Sequence, residues 1–117
     1  MAGNDSFYEY YSLICRTITT PSRLKILEAI GLKKMNVSEI YEATGLSRSN
    51  LSNHLGALYK IGILGREKVG NYIYYYLAQP EILKVMEMMM DIVRKISKER
   101  HSFVNNGENC ESVNGKD

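Results

Sequence analysis

Apolar positions recur at helical spacing through the first sixty residues and change to a strand rhythm after Gly62. Phe7, Tyr8, Tyr11, Leu13, Ile14 and Ile18 predict a first helix that starts at Asp5 or Ser6, either of which can cap it. Its apolar face is broad rather than a narrow stripe. Thr20 followed by Pro21 is a cap with proline at the first helical position, and Gly31 is a stop. A second helix is therefore expected over residues 21–30, with Leu24, Leu27 and Ile30 inward. Asn36-Val-Ser-Glu39 forms a capping box that opens a short third helix ending at Gly45. Ser47 caps a fourth helix that Gly62 ends, and Leu51, Leu55 and Leu58 anchor it inward. Two short helices separated only by Gly45 and Leu46 must meet at a sharp angle, as in a helix-turn-helix.

After Gly62, residues 63–66 and the tyrosine-rich residues 72–77 favour strand, with Val69-Gly70-Asn71 at the tip between them. A hairpin placed directly after a helix-turn-helix is a wing. Pro80 then opens a last helix to about Lys98. Its apolar residues, from Ile82 to Ile96, cover too much of the circumference for one partner. The expected fold is mainly α with a small β-hairpin, a winged helix-turn-helix in the order four helices, two strands, one helix. The last helix is expected to serve two partners, its own domain and a second subunit. Residues 1–100 form the DNA-binding and dimerisation domain, and residues 101–117 are expected to be a disordered polar tail.

Composition narrows the function. At 44% hydrophobic the chain is globular, and it lacks the uncharged apolar run of a membrane span. The N-terminus has an acid where a secretory signal carries basic residues, so a cytoplasmic location is expected. The net charge of +2 is uneven. From Leu46 to Leu77 four basic residues face the single acid Glu67, leaving +3 there and −1 elsewhere. That concentration suits a phosphate-facing surface. Arg48, Ser49, Asn50, Ser52, Asn53 and His54 line the outer side of the fourth helix and are expected to read an operator in the major groove. Arg66, Lys68, Asn71 and Tyr72 on the wing are expected to touch the backbone or minor groove.

The order Thr20-Pro-Ser-Arg-Leu-Lys-Ile-Leu27, Ser38-Glu-Ile40, Leu46-Ser-Arg-Ser-Asn-Leu-Ser-Asn-His-Leu55 and the strand 74–77 resembles the ArsR family. The resemblance spans roughly residues 8–96 and implies a winged-helix repressor that dimerises through the first and last helices, whose operator binding an effector weakens. The family's familiar metal sites are missing or incomplete. No cysteine occurs within Asn36–Tyr41, the last helix has Glu81, Glu87 and Asp91 without histidine before His101, and Ala57 and Ile61 replace recognition-helix cysteines. Asn71 stands where many members carry a basic residue.

No catalytic set or phosphate-cradling glycine loop is present, so no enzyme activity is expected. Cys15, His101 and Cys110 are the candidates for a soft-metal site or thiol redox switch. A lone cysteine is more often a small apolar residue. Met86, Met88, Met89 and Met90 read as adaptable packing at a subunit interface. The expected function is a sequence-specific DNA-binding repressor occluding an inverted-repeat operator. The alternatives are a winged-helix protein-interaction module and a metal- or redox-binding protein without a regulatory DNA target.

Overall fold

The computed structural model describes residues 4–104, with side chains up to residue 100. Cap chemistry sets most of the helix boundaries. Helix α1 (Asp5–Ile18) is capped by Asn4, whose Oδ1 accepts the Phe7 N–H at 2.8 Å. The cap thus stands one residue ahead of Asp5, because the Asn side chain reaches the third N–H of the first turn. Thr20 caps α2 (Pro21–Ile30) in the same way, through the Arg23 N–H. Ile26, Leu27 and Ile30 are fully buried, whereas Leu24, expected inside, is only half-buried.

Helix α3 (Val37–Thr44) opens on the full capping box, with Asn36 and Glu39 exchanging two hydrogen bonds of 2.9 Å. It closes at Gly45, whose φ of 75° places it in the left-handed region. The Thr44 hydroxyl donates to the Ile40 carbonyl at 2.8 Å and accepts from the Leu46 N–H at 3.3 Å. That latch holds the turn before α4 (Arg48–Lys60), which Ser47 caps.

The wing comprises β2 (Leu64–Val69) and β3 (Tyr72–Leu77), paired antiparallel from Leu64↔Leu77 to Val69↔Tyr72. The connecting turn is therefore the two residues Gly70-Asn71, and strand β2 runs three residues beyond the expected end. A further strand, β1 (Met35–Asn36), joins the far edge of β3 and makes a three-stranded sheet of order β1-β3-β2. Two residues carry no alternation, so this strand had no signal in the pattern. At Gly65, opposite Tyr76, a Cβ would stand 2.5 Å from the tyrosine Cζ; the ring lies across the bare backbone.

The chain divides into a unit ending at Leu83 and another starting at Lys84. The first is built around Ile26, Leu27, Ile30, Ile40, Leu51, Leu55, Leu58 and Leu64, all fully buried. The second consists, among the described residues, of the remainder of α5 (Ile82–Val104). That helix begins two residues after Pro80 and passes the domain boundary expected at residue 100. The expected tail beyond residue 104, with Cys110, lies outside the described residues. No helix among the described residues is long and apolar enough to cross a membrane.

Candidate nucleic-acid interface

The inner and outer faces of α4 separate cleanly. Leu51, Leu55 and Leu58 are buried to within 1% exposure, at the three- and four-residue spacing that makes one helical stripe. Arg48, Ser49, Asn50, Ser52 and Asn53 are exposed. They belong to the first half of the helix, where the backbone N–H groups and the helix dipole also favour an anion.

His54 departs from this group. It is half-buried, and its Nδ1 accepts a 3.0 Å hydrogen bond from Arg23 Nε in α2. The same guanidinium donates through Nη1 to the Thr17 carbonyl near the end of α1, also at 3.0 Å. With Nδ1 occupied as an acceptor, the neutral ring carries its proton on Nε2. Burial first, and the Arg23 charge second, hold the His54 pKa below its ordinary value. His54 is thus a strut tying the three helices together, and its Nδ1 is not open to a base. Arg23 was not among the expected site residues. Its partner lies 31 positions away, a separation to which helical periodicity is blind.

The wing distributes its side chains by strand parity. Directly opposed residues share a face, so Arg66/Tyr75 and Lys68/Ile73 lie on the side of the core pair Leu64/Leu77. Gly65/Tyr76, Glu67/Tyr74 and Val69/Tyr72 lie on the other. The two basic residues of the wing therefore share a face with one another and not with Tyr72. The Arg66 guanidinium rests over the Tyr59 ring of α4, 3.9 Å from its centroid, which brings the basic wing face beside the helix. Glu67 points to the opposite face and pairs with Lys34 at 3.2 Å. Lys34 also lies 5.3 Å from the Tyr76 ring centroid. An exposed pair of this kind adds little stability, but it neutralises the one acid of the basic segment. Asn71 and Tyr72 are exposed at the wing tip.

Residues 20–65 match the family model described as bacterial regulatory protein, arsR family. They span α2, β1, α3, the tight turn, α4 and the start of β2. This chain carries an ArsR-family helix-turn-helix domain. It is 26% identical over 98 residues to the HTH-type transcriptional regulator Rv0081 of Mycobacterium tuberculosis, covering 83% of this chain and 86% of that protein. The transcriptional repressor SdpR of Bacillus subtilis is 26% identical over 82 residues, covering 70% of this chain and 91% of the relative. The crystal structure of Rv0081 superposes with a TM-score of 0.74, covering 83% of this chain and 98% of that one at 26% identity. At 20% identity, a homodimeric winged helix-turn-helix DNA-binding domain from Mycobacterium bovis shares the fold, with a TM-score of 0.70, over 85% of this chain and 95% of its own.

Outside the ArsR-family domain, Cys15 is exposed on α1. The His101 side chain and Cys110 lie outside the described residues. Among the described residues no group of three or more His, Cys, Asp or Glu is placed to hold a metal ion. Phe7, Tyr8, Tyr10, Tyr11 and Leu13 of α1 are exposed, as are Val85, Met88, Met89, Ile92, Val93 and Ile96 of α5.

Proposed function

We propose that this chain is a homodimeric, cytoplasmic DNA-binding repressor, without enzyme activity, that occludes an inverted-repeat operator. The carrying observation is α4. Its leucine stripe is wholly buried, while Arg48, Ser49, Asn50, Ser52 and Asn53 stand exposed with no acid among them. Short donors and acceptors of this kind reach base edges in a major groove, and the arginine meets phosphate. Arg66 and Lys68 hold the backbone from the wing, with Asn71 and Tyr72 at its tip. His54 braces α4 through Arg23 and offers DNA only its Nε2–H.

Dimerisation rests on the exposed apolar residues of α1 and α5, which exceed the scattered single exposures of a monomer. Two copies would set their α4 helices about 34 Å apart, one DNA turn. The relative named as a repressor supports repression over activation. An effector acting on Cys15, with His101 and Cys110, stays part of the proposal as a soft-metal or thiol switch.

The test is fluorescence anisotropy of the reduced protein on DNA from upstream of its own gene, over a series of salt concentrations. Saturable binding that weakens steeply with salt is the expected result. Binding that is absent, or indifferent to salt, sinks the reading and favours a protein partner. Release by a thiophilic metal or mild oxidant, abolished in Cys15→Ser, is the expected mark of the switch; an unchanged response in that variant removes it.

A further inference from the structure

Two tyrosines, Tyr41 and Tyr59, lie beside the site without being counted among its DNA-contacting residues. Tyr41 belongs to α3 and Tyr59 to the last turn of α4, and both rings are about two-fifths exposed. Each lies under an arginine. The Arg48 guanidinium sits 4.7 Å from the Tyr41 ring centroid, and that of Arg66 sits 3.9 Å from the Tyr59 centroid. Arg48 is the first residue of α4, and Tyr59 is the last but one. The stacked cations thus stand at opposite ends of one helix.

A free arginine side chain samples many rotamers and loses that freedom when it binds phosphate. A guanidinium stacked on a ring is engaged through its flat face, and its N–H donors still point outward in its plane. Among the described residues neither arginine is in an ion pair. Stacking therefore orders each side chain without an acid to neutralise its charge. A helix of this length spans about 20 Å, more than the roughly 12 Å width of the major groove. Set across the groove, such a helix would bring the side chains at its two extremes over the sugar-phosphate backbones, with the residues between them over the bases.

We propose that Tyr41 and Tyr59 are positioning residues for DNA binding, presetting Arg48 and Arg66 as phosphate clamps at the two ends of α4. The proposal rests on the reading of α4 as the DNA-contacting helix. It assigns the tyrosines a role in affinity and none in base choice.

The experiment is anisotropy of the full chain on its own upstream DNA and on a random duplex of equal length, across salt. Tyr41→Leu and Tyr59→Leu are each expected to weaken binding about three- to tenfold on both duplexes. Each should also lower the slope of log affinity against log salt by up to about one. Tyr41→Phe and Tyr59→Phe keep the ring and are expected to bind like the parent. Adding Tyr59→Leu to Arg66→Ala should cost nothing beyond Arg66→Ala alone; a general effect of the tyrosine change on folding would persist there as an added cost and overturn the proposal. Leu variants that bind with the parent's affinity and slope overturn the proposal. So do Leu variants that bind more tightly, since the ring would then be withholding the arginine. Phe variants as weak as the Leu ones overturn it too, by placing the effect on the hydroxyl. If the parent itself shows no salt-dependent binding, the reading of α4 falls and the positioning role with it. Normal parent binding with indifferent tyrosines removes the positioning role alone.

Discussion

His54 illustrates how a residue changes meaning between a one-dimensional pattern and a fold. On the helix it continues the polar run from Arg48, yet its ring turns to Arg23 and becomes a support. Its depressed pKa carries a sign for stability. The unfolded chain binds the proton more readily, so stability is complete above the ordinary histidine value and is lost as pH falls through the lowered folded one. Melting temperature should drop from about pH 7.5 to about pH 5.5, and His54→Gln should flatten that drop. An equal pH dependence in the variant would place the effect elsewhere. Arg23→Met keeps the aliphatic stem but removes both donors, and urea titration should show a loss of about 1–2 kcal/mol. Asn53→Ala removes one exposed amide from α4. It should cost about 1–3 kcal/mol in operator binding with the melting temperature unchanged. At this scale the exposed residues of α4 were legible from helical spacing alone. The partners of His54, Arg48 and Arg66 were not, because each belongs to another element and meets its charge only after folding.

Among the elements, the ones with chemical punctuation were readable. Thr20-Pro21, the Asn36–Glu39 box, Ser47 and the left-handed Gly45 each set a helix end where the structure has one. Elements without such marks drifted. The wing strand β2 is longer than its apolar part, because Glu67, Lys68 and Val69 pair with β3 through backbone groups that any side chain permits. Strand β1 arises only from tertiary pairing of Met35 and Asn36 with Tyr75 and Tyr74. The helix-turn-helix depends on its buried stripe and its turn together. Leu55→Ala should destabilise by about 2–5 kcal/mol in chemical denaturation, since the fully buried site leaves a cavity. Gly45→Ala meets open space yet must hold a positive φ, so about 1 kcal/mol is the expected loss. A neutral result there would show that the backbone relaxes out of the left-handed region.

On the scale of the whole molecule, charge and apolar surface divide the labour. The basic residues of α4 and of one wing face make up the proposed nucleic-acid surface, with Glu67 turned away and paired to Lys34. The apolar surface left open on α1 and α5 is the proposed surface of association. Leu13→Glu and Val93→Glu change exposed positions, so each should leave the single-subunit fold standing while shifting the sedimentation coefficient to that of a monomer. Operator affinity should fall with it, because one recognition helix alone contacts half a site. A variant that remains dimeric would exclude its helix from the interface.

The proposed dimer, built on the bare apolar surface of α1, would have a further consequence for gene dosage. While subunits are scarce, doubling their number raises the dimer population about fourfold, so promoter occupancy climbs faster than protein synthesis. A regulator assembled this way needs no ligand to set a threshold. Its own abundance does so, and a cell diluting its contents by growth would open the promoter abruptly rather than by degrees.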